Sequence, residues 1–209
     1  MASPPRPRYK RRMIDFDPDE DFSGADLPPT LRAVGLFAQT LPQVAWFHRL
    51  GELLSAEEAE AAHAYLSALG FPEAGPAEVG DWMEAEEAAN NRDWNGAGWE
   101  AEEQLRAALS VQAVELVGDE QAVLVALTHV TSQASDVVHA AAAQAASRFG
   151  IDDEGLIRAA AGAATQAAYL AALVLAAGED EEHAFAHKFR LFEAGRWPLG
   201  VSGATLNIF

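Results

Sequence analysis

DEQAVLVALTHVTSQASDVVHAAAAQAASRFGIDDEGLIRAAAGAATQAAYLAALVLAAG, residues 119–178, holds the two longest periodic runs of the chain. Gly150 closes the first run, 119–149. Asp152 and Asp153 offer N-terminal caps to the second, 152–177, and Gly178 ends it. Carboxylates satisfy the free amides at a helix start, and glycine tolerates the left-handed turn at a helix end. So short a join predicts two long antiparallel helices at the centre of the fold. The segment 159–178 is nearly free of charge and long enough to span a bilayer. Alanine drives insertion weakly, and Thr165, Gln166 and Tyr169 interrupt the run, so it reads as a buried core helix.

On a wheel of about 100° per residue, His129, Ser132, Gln133, Asp136, His139 and Ser147 share one sector of the first helix. Leu124, Leu127 and Val138 lie opposite. In the second helix Arg158, Thr165, Gln166 and Tyr169 gather on one side of an Ala/Leu rod. A solvated face in this chain should be rich in Glu, as at 57–60 or 84–87. Short neutral polar groups fit three settings: a plain solvated face, a semi-buried hydrogen-bond network, or a ligand cleft.

Outward from this pair the chain stays helical. The first helix of the body starts at Thr30 and should end near Leu41, because Pro42 cannot continue it. Apolar spacing resumes from Val44 to Leu54. Ser55 with Glu58 forms a capping box for a helix that Gly70 stops. Residues 72–80 read as a loop. Residues 81–118 read as two helices divided by the Asn95–Gly96 turn. A shorter helix is expected over 179–194, and Leu199–Val201 with Ala204–Ile208 reads as a β-hairpin clasp within 197–209. The fold expected is mainly α: a bundle of about six helices, in one domain over 30–209. In FRLFEAGRWPLGV (189–201), Arg196 and Trp197 read as the joint between last helix and hairpin, with Arg196 paired to the acidic block 179–182.

Residues 1–29 read as a tail, disordered or ordered by a partner. Its first half is basic and its second alternates acids with Phe16 and Phe22, which would anchor a linear motif. Five of the 14 basic residues lie within 1–13, which hold no acid. The rest of the chain therefore has 9 basic residues against 32 acidic, a net of −23. Such a body repels phosphate backbones, so nucleic acid is an improbable partner, and it suits a basic protein. The absence of cysteine excludes disulfides and thiolate sites. No apolar signal core follows the basic N-terminus. A cytoplasmic, bacterial protein with no membrane span is expected, the bacterial reading resting on alanine-rich style alone.

Two functions fit these features. The first is an acidic, non-catalytic interaction module (an adaptor, assembly subunit or toxin-neutralising partner) with Trp82, Trp94 and Trp99 as anchors beside Phe16 and Phe22. Trp82, Trp94 and Trp99 would form either such a surface or a lid on the bundle. The second is a metal-dependent helical-bundle enzyme or metal binder holding zinc, iron or manganese through His129, Asp136, His139, His183 and His187. His183 and His187 stand four apart and would share a helix face with Glu179 and Arg190, turned to solvent or a cleft edge. Glu60/His63, Asp136/His139 and Asp180/His183 each have acid-x-x-His spacing. The four acids before His183 should raise its pKa. His48 and His63 read as ordinary boundary residues. The sequence has no Gly-rich phosphate loop, no Gly-x-Ser-x-Gly elbow and only two lysines, Lys10 and Lys188.

Overall fold

The computed structural model describes residues 27–90 and 96–209. Phe16, Phe22 and Trp94 lie outside the described residues, as does almost all of the expected tail. Seven α-helices are described: α1 (Pro29–Thr40), α2 (Ala56–Ala68), α3 (Trp82–Asn90), α4 (Ala97–Val117), α5 (Glu120–Arg148), α6 (Glu154–Ala176) and α7 (Ala184–Glu193). Three short strands accompany them: β1 (Gly75–Glu78), β2 (Pro198–Ser202) and β3 (Thr205–Ile208).

Most helix ends obey local chemistry. Asp119 accepts from the Ala122 amide at the start of α5, and Asp153 from the Leu156 amide at the start of α6. Ser55 and Glu58 complete the capping box of α2. Pro42 falls in a 3-10 turn, Leu41–Gln43, after α1 has ended. Helix α6 is the only described helix long and apolar enough to cross a membrane, and 61% of its most apolar window is buried in the fold. It is a core helix packed along α5, with α1, α4 and α7 also against it.

The apolar spacing of 44–54 does not make a helix; the segment is a series of turns. Its carbonyls are taken by two arginines. Arg148 donates to the carbonyls of Phe47 (2.5 Å) and His48 (3.2 Å). Arg196 donates to those of Arg49, Glu52 and Leu53. Phe47 itself has a left-handed backbone, with φ of 59°.

The hairpin forms as β2 and β3, antiparallel and bulged between Pro198 and Gly200. It is not alone. The 72–80 segment, expected as a loop, contributes β1, which pairs parallel to β3 with Gly75 opposite Thr205. The sheet order is β1-β3-β2. Four residues that include Gly and Pro show no alternation, so only the partner strand defines β1.

The core has two parts. The smaller joins α2, α7 and the sheet around Tyr65, Leu66, Leu191 and Leu206. A buried triad crosses it: Tyr65 and Lys188 both donate to Glu102 of α4. The larger part carries a relay of rings. Phe37 meets Phe189 at 5.0 Å, Phe189 meets Trp46, and Phe192 bridges Trp46 to Phe47. Phe47 then meets Trp197, which meets Trp82 at 5.8 Å. Trp82 ends the relay against Phe209 and Phe149. Edge-to-face geometry of this kind suits the ring quadrupoles.

Arg196 is the joint. Its guanidinium is 1% exposed. Nε and one terminal nitrogen hold both oxygens of Glu58 at 3.0 Å, and the other donors reach the three carbonyls named above. All five N–H groups are thereby used. The partner is Glu58, not the 179–182 block. Gly195 (φ 85°) brings the backbone against 45–49, where a Cβ would sit 3.1 Å from the Ala45 carbonyl oxygen and the Arg49 nitrogen. Burial pushes the Glu58 carboxyl up, but Arg196 and Ser55 together outweigh it and bring it below 4.5.

Replacing Arg196 with Met should cost about 3–5 kcal/mol in urea unfolding, because Glu58 is left buried and underpaired. A depressed carboxylate stabilises the fold above its unfolded value. The wild type should therefore lose stability as pH falls below 4.5 through the folded value, and Glu58→Gln should flatten that loss.

Candidate functional site

Two concave surfaces stand out. The first is a cleft of about 480 Å³ between α2 and α7. Glu57 and Glu60 on α2 face Glu182, before α7, and Glu193, at its end. Glu58 lies at its edge, committed to Arg196 and to Arg49 at 2.7 Å. Arg190 is the one cation in the lining, and Glu181 partners it at 3.1 Å.

His187 is in this cleft. It is buried, at 4% exposure, not turned to solvent. Arg190 donates to its Nδ1 at 2.9 Å. A guanidinium cannot accept, so the proton of the neutral ring sits on Nε2, 3.8 Å from Glu182. Burial lowers its pKa, Arg190 lowers it further, and Glu182 opposes both.

His183 is not on the α7 face with His187. Helix α7 starts at Ala184, five residues later than expected, because the chain turns first. Gly178 takes a left-handed conformation, and the Asp180 carboxylate accepts from the Glu182 amide. His183 becomes the N-cap, its Nδ1 accepting from the Phe185 amide at 3.1 Å. Glu179 reaches Gln112 of α4 at 2.6 Å. The pKa of His183 is lowered, against expectation: burial outweighs Glu179 and Asp180.

The second surface is a groove of about 660 Å³ along α5 and α6, with α4 at one end. It joins His139 to Arg158, Thr165, Gln166 and Tyr169, so part of the α5 stripe meets the α6 stripe. Thr131, Ser135 and Arg106 complete the set, and the wheel of α5 had not singled them out. Ser135 and Thr131 sit four and eight residues before His139, the spacing that lines one helix edge. The remaining stripe residues face outward: Ser132, Asp136 and Ser147 are exposed, while His129 and Gln133 are half-buried. Leu127 and Val138 are buried, but Leu124, placed on the same apolar side, is 63% exposed.

Gly162 stands exposed in the lining of the groove, inside α6. Glycine there costs about 1 kcal/mol relative to alanine. A Cβ built on it meets nothing within 4 Å, so no described neighbour demands its absence.

The expected metal ligands do not form one centre. Among the described residues no three His, Asp or Glu side chains group to hold an ion. His139 faces Glu154 at 3.6 Å across α5 and α6. Of the expected aromatic anchors, Trp82 is buried at 2% exposure and ends the ring relay, which corrects its placement on a partner-facing surface. Its Nε1 has no partner among the described residues. Trp99 is 36% exposed beside the sheet, where Gly98 lets α4 approach Val201. The acidic cleft itself was missed as a unit, since its glutamates come from elements more than 100 residues apart in sequence.

No known family, curated protein or solved structure matches this chain.

His183 and His187 should both titrate below 6.5 in NMR spectra. Their lowered folded values mean that their stabilising contribution is whole above 6.5 and is lost as pH falls from there. His183→Asn, which keeps a capping acceptor, should make the urea midpoint less sensitive to pH between 6.5 and about 5.

Proposed function

We propose that this protein is an acidic, non-catalytic interaction module that receives a basic segment of a partner protein in the α2–α7 cleft. The observation that carries this reading is the cleft lining: Glu57, Glu60, Glu182 and Glu193 converge there, and the single cation among them is already paired. The net charge of −23 beyond residue 13 supports it, because it steers a cationic partner from a distance. His187, buried and held by Arg190, and Glu58, buried and held by Arg196, are fixed within the cleft, so little ordering cost falls on binding. The role is that of an adaptor, assembly subunit or toxin-neutralising partner in the cytoplasm of a bacterium. Trp99 is the remaining exposed tryptophan anchor among the described residues, and Phe16 and Phe22 are the further anchors this reading proposes. We read α5 and α6 as the antiparallel central pair on which this face is built. Zinc, iron or manganese chemistry is the rival reading, and it has no convergent ligand set among the described residues in its favour.

The test is co-purification with a candidate basic partner followed by charge reversal. Glu57→Lys, Glu60→Lys and Glu182→Lys together should weaken the complex by about a hundredfold at low salt, mostly through slower association. The wild-type affinity should fall as salt is raised. Partner binding that ignores both salt and charge reversal contradicts the proposal. Stoichiometric metal in the purified protein, required for activity, would replace it.

A further inference from the structure

We propose that the α4–α5–α6 groove is a second, separate site, which binds a small molecule with an apolar body and a carboxylate. It does not rest on the partner reading, because the groove and the acidic cleft share no lining residue.

Three observations converge. The first is size and shape. The volume of about 660 Å³ lies within the range of ligand pockets, roughly 300–1,000 Å³. From Arg158 to Tyr169, α6 advances about 16 Å at 1.5 Å per residue, so the groove suits an elongated guest.

The second is charge. Nine basic residues serve the whole chain beyond residue 13, and two of them, Arg106 and Arg158, line this one groove. None of its lining residues is acidic. Arg106 engages Glu103 through Nε and Nη2, leaving Nη1 without a bond among the described residues. Arg158 uses only Nε, toward the Glu154 carbonyl and carboxylate. Both guanidinium groups therefore keep donors for an incoming carboxylate, which their planar fork fits well. The hydroxyls of Ser135, Thr165 and Tyr169 add neutral donors to the same lining.

The third is Gly162. Glycine is the poorest helix former after proline, yet it stands in mid-helix where a side chain would clash with nothing in the protein. An exposed gap in the lining of the groove leaves room for part of a guest. The surrounding wall, Ala161 with the Tyr169 ring, is apolar and would lie against the body of the guest.

Titration of the full chain with sodium octanoate, followed by NMR of its backbone amides, tests this. Octan-1-ol and octylammonium serve as neutral and cationic counterparts. Octanoate should cause saturable shifts centred on Ser135, Gly162, Thr165 and Tyr169, while octylammonium should cause none there. Gly162→Leu fills the groove with a better helix former and should weaken octanoate binding by about tenfold or more, with the thermal midpoint unchanged or raised. Arg158→Gln, at an exposed position outside the core, should weaken octanoate by about tenfold while leaving octan-1-ol binding unchanged. The proposal is overturned if octanoate gives no saturable shifts in this groove, if octylammonium binds there equally, or if Gly162→Leu leaves the affinity intact.

Discussion

Arg196 divides its five guanidinium N–H groups between Glu58 in the first turn of α2 and three carbonyls of the segment before it, and it does so out of reach of water. Glu58 answers it with both carboxylate oxygens. The same carboxylate caps the first turn of α2 by accepting from the Ser55 amide at 2.7 Å. One ion pair thus joins the start of α2, the turns of 44–54, the end of α7 and the beginning of the sheet. A buried pair of this sort does little for net stability compared with apolar packing, but removing one partner is costly. Its contribution is positional: the turns have no ladder of their own, and the two arginines supply the donors that a helix would have supplied.

From that joint the two faces of the molecule follow. Trp197, adjacent to Arg196, carries the ring relay into the larger core and on to Trp82, Phe149 and Phe209. Helix α7 is held against α2 by the smaller core, and the Lys188–Glu102 pair at 2.5 Å ties it to α4. The α2–α7 cleft is therefore an edge between rigid elements, with its carboxylates on the rim and a neutral imidazole below. The groove on the α5–α6 side differs in character. Its walls are alanine, glycine and hydroxyl side chains, and its charge is positive. A chain with so few basic residues places cations sparsely; Arg148, Lys188 and Arg196 serve structure, and Arg106 and Arg158 stand at the groove.

Local signals were legible in the sequence wherever a few consecutive residues decide the outcome. The Ser55/Glu58 box, the Asp153 cap and the glycine stops after 69, 149 and 177 all depend on near neighbours, and the helix ends they mark formed close to their expected positions. The buried nature of α6 was legible from its Ala/Leu rod. What stayed hidden depends on distant partners. Strand β1 exists because β3 lies beside it. The 44–54 turns replace a helix because Arg148 and Arg196 arrive from about 100 and 150 residues away. The His183 pKa was misjudged because neighbouring acids are visible in sequence and desolvation is not. Trp82 was offered as a partner anchor or as part of a lid, because an aromatic-rich connector reads equally well as either, and it is buried. Of the candidate site, the two polar stripes were legible in the sequence, whereas the meeting of His139 with Arg158, Thr165, Gln166 and Tyr169 required the packing of α5 on α6, and the acidic cleft that of α2 on α7.

The central functional claim is that the acidic α2–α7 edge is where a cationic polypeptide docks. The most direct measurement maps amide chemical shifts while a short arginine-rich peptide is added at low salt. The account predicts movement concentrated at Glu57, Glu60, Ala61, Glu182 and Glu193, carried inward to the His187 ring, and reversed by salt. Shifts scattered evenly over the acidic surface, or centred on α5 and α6, would contradict it.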